Sequence, residues 1–169
     1  MRYAPAAAAL SLALAVSASV GHSAPRTPAP GAAELIGQGK TALDSGDTQG
    51  AVDAFEAALA IDPGYTPTLL RLAEAARANG LQGKAIRYYR EALTREPDNV
   101  EALAGEGSAL AEKGAIAKAK IKLSEVEKAC GSEACAPAQT LTAAIARGPV
   151  QPVQTAEVTL PEPAATQAN

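Results

Sequence analysis

A chain of 169 residues with a formal net charge of −3 is long enough for one ordinary domain plus flanking segments. Its charge is neither basic nor concentrated, which argues against a nucleic-acid binder and the cationic footprint that such a protein needs. One phenylalanine, four tyrosines and no tryptophan leave almost no material for a base-stacking platform. Alanine and leucine outweigh β-branched residues, which favours helix over strand.

Residues 1–21 read as a signal peptide. Arg2 is a minimal positive start, Ala6 to Val20 is apolar apart from Ser11, Ser17 and Ser19, and small residues follow. The run is short and weakly apolar for a membrane span, which wants about 20 residues. Cleavage is expected after Ala18 or Gly21, because a cut after Ala24 would place Pro25 next to the scissile bond. No cysteine stands near these positions, so a lipid anchor is not expected. The mature chain is therefore read as periplasmic or secreted, with no membrane span of its own. Pro25, Pro28, Pro30 and Gly31 then mark residues 22–32 as a flexible linker, which holds His22, the one histidine.

The part from 33 to 147 is self-similar. Leu35, Leu69 and Leu103 are spaced 34 residues apart, and so are Gly46, Gly80 and Gly114. The same step relates Ala51, Ala85 and Ala119; Phe55, Tyr89 and Leu123; and Ala58, Ala92 and Val126. Pro63, Pro97 and Gly131 close the three units, 32–65, 66–99 and 100–133. Each unit reads as two helices. Thr66 before Pro67 predicts a helix start, Leu69, Leu70, Leu72, Ala73 and Ala76 give it an apolar face, and Asn79-Gly80 stops it. Ala85, Ile86, Tyr89, Ala92 and Leu93 line the second helix, which Glu96-Pro97 ends; Asp98 with Glu101 reads as a capping box for the next. A cap helix over 137–147 carries Leu141, Ala144 and Ile145, and Gly148-Pro149 ends it. Residues 148–169, rich in Pro, Ala and Thr, are predicted to be a disordered tail.

These units resemble tetratricopeptide repeats (TPR). The residues that carry the resemblance are the small residue of the first helix (Gly39, Ala73, Gly107), the turn glycines, the alanines of the second helix, the large residue Phe55 or Tyr89, and the closing Pro63 or Pro97. The third unit departs from the pattern with Leu123, Val126 and Gly131, and leucine stands in all three units where the family usually has tryptophan. The resemblance implies an all-α fold, a right-handed α-solenoid of three TPR-like helical hairpins plus a C-terminal capping helix. One hairpin cannot bury its own apolar face, so about three are needed.

Cys130 and Cys135 flank the junction between the last repeat and the cap helix. In an oxidising compartment they are expected to pair as a disulfide that clamps the cap. Redox motifs use a two-residue spacing, and a metal site would need further ligands that this chain lacks. Without histidine in the folded part, Ser/His/Asp and Cys/His catalysis have no base, and no phosphate loop is present. Carboxylates are expected on outward faces. No catalytic residue, metal or cofactor is predicted. Lys118, Lys120 and Lys122 are read as part of a solvated face, with Glu125 and Glu127 close by.

The resemblance also implies a site. In related proteins the first helix of each repeat lines a concave groove, which here holds Ile36, Lys40 and Leu43, then Leu70, Glu74 and Arg77, then Glu101, Ala104 and Ser108. Some members grip a terminal carboxylate with basic residues and asparagines on these helices; Glu101 and Gly105 stand at such positions in the third unit, so that grip is not expected. The expected function is a non-enzymatic protein–protein interaction module, a periplasmic adaptor or scaffold that takes a peptide or protein partner of two or three apolar anchors. The alternative is a structural, self-associating repeat protein of the cell envelope, joined through Leu123, Val126 and the cap-helix stripe. In the tail, Val150, Val153, Val158 and Leu160 alternate with prolines and suit an extended segment lying in the groove of its own molecule. Intact mass of the exported chain under non-reducing conditions tests two of these readings together. It should match a start at Ser19 or His22, and be two hydrogens lighter than the free dithiol.

Overall fold

The computed structural model describes residues 26–131 and 135–150, and all regular structure among them is helical. The signal peptide and the tail beyond 150 lie outside the described residues. Seven helices follow one another: α1 (Pro30–Asp44), α2 (Thr48–Ile61), α3 (Thr66–Ala78), α4 (Gln82–Arg95), α5 (Val100–Glu112), α6 (Ile116–Cys130) and α7 (Ala136–Arg147). Pairs α1/α2, α3/α4 and α5/α6 are antiparallel hairpins stacked in sequence, and α7 packs on α5 and α6 as the first helix of a further unit would. None of the described helices is long and apolar enough to cross a membrane.

The three hairpin turns are the same physical object. Gly46, Gly80 and Gly114 sit at φ +83°, +72° and +89°, a left-handed conformation that side chains resist. In each turn the next residue reaches back to the helix: Asp47 N–H donates to the Ala42 carbonyl, Leu81 to Ala76 and Ala115 to Leu110, at 2.8–2.9 Å. These bonds satisfy carbonyls that a bare helix end would leave orphaned. Helix starts differ from the sequence reading. Asn99, not Asp98, caps α5 by accepting from Ala102 N–H at 2.9 Å, while its own amide donates to Glu96. Thr66 is the first residue of α3 rather than its cap, and it is buried. The cap helix begins at Ala136, one residue earlier than expected.

The repeated small residues leave room for the large ones. A Cβ on Gly39 would lie 2.6 Å from the Phe55 ring, one on Gly105 would lie 2.3 Å from Tyr89, and one on Gly107 would lie 2.6 Å from Leu141. Backbone and ring therefore touch directly, at the density of a close-packed interior. Ala51, Ala85 and Ala119 are fully buried, as are Ala58, Ala92 and Val126. A second apolar cluster, of Leu103, Ala104, Val126, Ala138 and Leu141, lies beneath α7 with Leu123 against it. The face reserved in the self-association reading, Leu123 and Val126 with the cap stripe, is therefore consumed inside the molecule, because α7 needs an apolar surface to dock on.

Two carboxylates are not on outward faces. Glu106 is 2% exposed and is met by Arg90 from α4 at 2.7 Å and by Lys122 from α6 at 3.3 Å. Glu106 thus ties α4, α5 and α6 together, and Lys122, read as part of a solvated lysine face, is one of its two partners; burying a charge is tolerated only when it is paired in this way. Asp62 is also buried, and it holds the segment expected to be a free linker. Its oxygens accept from the Arg26 guanidinium at 2.7 Å and the Ala29 N–H at 3.0 Å, and α1 starts at Pro30. Those two donors, the backbone one foremost, lower the Asp62 pKa below the ordinary carboxylate value.

Two predictions follow from this packing. Gly105→Ala should cost about 1–3 kcal/mol by overpacking Tyr89, read as a lower urea midpoint at unchanged slope. A midpoint that does not move would mean that the ring yields freely. The Asp62 contribution is fully present above the ordinary carboxylate range and is lost as pH falls through its depressed folded value. The Ala29 amide resonance should therefore titrate only below that ordinary range. Asp62→Asn should abolish the transition and speed tryptic cleavage after Arg26.

Candidate functional site

Helices α3, α5 and α7 lie side by side and line an open cavity of about 390 Å³. Helical spacing brings one face of each to it: Leu70, Arg71, Glu74 and Arg77 from α3, Glu101, Ala104, Gly105 and Ser108 from α5, and Ala136, Pro137 and Thr140 from α7. Tyr89 of α4 closes the floor. Leu70, Ala104, Tyr89 and Pro137 make the apolar interior, and the charged residues form a rim.

Six of the nine residues expected to line a groove meet here: Leu70, Glu74, Arg77, Glu101, Ala104 and Ser108. Ile36 and Leu43 do not; they lie half-buried against the main core. Lys40 is exposed on α1, away from this cavity. The enclosed stretch is displaced toward the C-terminus because α7 supplies a third wall there. The sequence reading missed Arg71 and Tyr89, and it treated α7 only as a cap. One further 34-residue step from α5 lands on α7, which was the available signal.

Three of the four rim charges are held in ion pairs. Arg77 donates from Nε to Glu112 at 3.1 Å and from Nη2 to the second oxygen of the same carboxylate, a fork that joins α3 to α5. Burial works against the charged guanidinium, but the Glu112 bonds and the neighbouring Tyr89 outweigh it and raise the Arg77 pKa. Arg71 pairs with Glu74 at 2.7 Å. Burial raises the Tyr89 pKa, with Arg77 opposing. The phenol is therefore neutral near pH 7 and the floor carries no charge. Ser108 is almost fully buried, and its Oγ has no hydrogen-bond partner. Cys130, the last residue of α6, is disulfide-bonded to Cys135, the N-cap of α7, with Cα atoms 6.3 Å apart. The bond thus anchors one wall of the cavity. The arrangement suits reception of an apolar side chain among fixed polar groups; the groups lining the cavity include no histidine, cysteine or lysine to serve as nucleophile or base.

This architecture defines a class, the α-solenoid of stacked helical hairpins. The chain carries tetratricopeptide repeats: family profiles described as tetratricopeptide repeat match residues 42–81 and 67–111. No curated protein matches the chain. Among solved structures, the Sgt2 TPR domain from Aspergillus fumigatus aligns with a TM-score of 0.64 at 24% identity, covering 80% of this chain and 98% of that one. The TPR2B domain of yeast Sti1, solved in a complex with pHsp70, aligns at 0.63 and 21% identity, covering 70% and 99%. The first TPR of Spaghetti (RPAP3), bound to the HSP90 peptide SRMEEVD, aligns at 0.61 and 17% identity, covering 69% and 91%.

Proposed function

We propose that this protein is an exported, non-enzymatic adaptor that seats a polypeptide segment in the groove between α3, α5 and α7. The observation that carries the proposal is the cavity, apolar in its floor and polar at its rim, on the face formed by first helices. Its volume lies in the range of ordinary ligand sites, about 300–1,000 Å³. An apolar anchor of the partner would replace water over Leu70, Ala104 and Pro137. Few anchors dominate such contacts, so affinity rests on this cavity rather than on the whole face. Two proteins of similar fold were solved with peptide or chaperone partners, which supports a peptide-binding reading. Export rests on the leader at 1–21, and a disulfide is the kind of bond an oxidising compartment preserves.

The test is co-purification from the native envelope with tagged protein and its Thr140→Arg variant. Thr140 is exposed on the groove wall, so its replacement blocks the cavity without opening the core, whereas Leu70 is too buried to serve. A specific partner should be captured by the first and lost at least roughly tenfold, about 1.4 kcal/mol, with the second. Equal capture by both would remove the site from this groove.

A further inference from the structure

We infer that the groove has a resident occupant: the chain's own segment 151–169, laid back over α3 and α5 in the same molecule. The inference rests on the reading of the groove as a peptide site and specifies one peptide that it takes.

The path of the chain after α7 is the first observation. A fourth repeat would continue into a second helix. Instead Gly148 adopts φ +74° and ψ −160°, a combination open essentially to glycine alone, and the chain turns onto the end of α5. Pro149 comes to rest on the α5 turn, its Cβ 3.8 Å from where a Gly114 side chain would begin. The Val150 N–H then donates to the carbonyl of Glu112 at 2.9 Å, satisfying the last residue of α5. The backbone is thus tied down at the point from which the remaining residues depart.

Where it is tied is the second observation. Val150 sits in a depression of about 620 Å³ with Glu74, Arg77 and Glu112. Glu74 and Arg77 are also walls of the groove cavity, and the Arg77–Glu112 pair stands where the two hollows meet. The segment therefore starts at the open end of the groove. Val150 itself is 59% exposed, an apolar side chain awaiting cover.

Length and composition complete the argument. The 19 residues from 151 to 169 reach roughly 60 Å when extended at about 3.3 Å each. The groove needs only about 20 Å, the length of α3 at 1.5 Å per residue. Pro152, Pro161 and Pro163 oppose helix formation and favour an extended chain, while Val153, Val158 and Leu160 offer aliphatic anchors of the size the cavity admits. Tethering sets an effective concentration near the millimolar range, so an intrinsically weak contact is well populated. A foreign partner must displace it, and its apparent affinity falls in proportion.

The experiment uses the full chain carrying photoreactive p-benzoylphenylalanine at Val158 (Val158→p-benzoylphenylalanine). Purified protein is irradiated over a tenfold dilution series, and cross-links are mapped by mass spectrometry. The inference expects links within one molecule to the groove, at Leu70, Arg71, Ala104 or Thr140. Their yield should be unchanged by dilution and at least roughly fivefold lower with Thr140→Arg in the same chain. Links to α2, α4 or α6, links between molecules that fade on dilution, or no links at all would overturn it. The outcomes separate from those of the adaptor test. Cross-links elsewhere together with Thr140-dependent capture of a partner would retire the self-ligand and leave the groove reading standing. Groove cross-links without a captured partner would retire the foreign partner and leave the groove as a site for the chain's own segment.

Discussion

Tyr89 can lie where it does only because Gly105 has no side chain. The ring enters the space a Cβ would fill, 2.3 Å away, and there it does three things. It seals the interface between the second and third hairpins, it sits beside the Arg77 guanidinium, and it forms the floor of the groove. Gly39 with Phe55 and Gly107 with Leu141 repeat the interlock within the first hairpin and under the cap. A solenoid has no single centre, so its stability is the sum of such neighbour contacts. Each missing Cβ lets two helices approach closely enough to exclude water along a whole face.

Charge sets the register that these contacts fill. Glu106 between Arg90 and Lys122 joins three successive helices, and Arg77 against Glu112 joins the first helices of two repeats. Buried pairs of this kind add modest net stability, since desolvation offsets most of the attraction. A shifted packing would leave the same groups buried and unpaired, and that costs far more. The pairs therefore discriminate against wrong stackings more than they strengthen the right one. Asp62 does the same for the entry of the chain, fixing Arg26 and Ala29 on the first hairpin.

The cap helix has a double role. Its apolar stripe covers Leu103 and Val126 at the end of the third hairpin. Its opposite edge, Ala136, Pro137 and Thr140, becomes the third wall of the groove. The Cys130–Cys135 bond acts on a loop too short to organise the chain at large, so its effect is local. By fixing the start of α7, it holds that wall and the chain that leaves from its far end.

The 34-residue spacing by itself determined the hairpins, their glycine turns and the stacking of three units, because a repeat that cannot bury its own face has one economical way to bury it. The family resemblance, not the spacing alone, marked the six groove residues, through the first helix that lines the groove in related proteins. Only the tertiary structure decided the rest. Glu106 and Asp62 look like surface carboxylates in sequence, and are buried because Arg90, Lys122, Arg26 and Ala29 arrive from other elements. Arg71, Tyr89 and the α7 wall entered the site, and Ile36, Lys40 and Leu43 fell outside it, because where a groove closes depends on how α7 docks. That docking is a property of surfaces meeting across the chain, and its one trace in the sequence is that a further 34-residue step from α5 lands on α7.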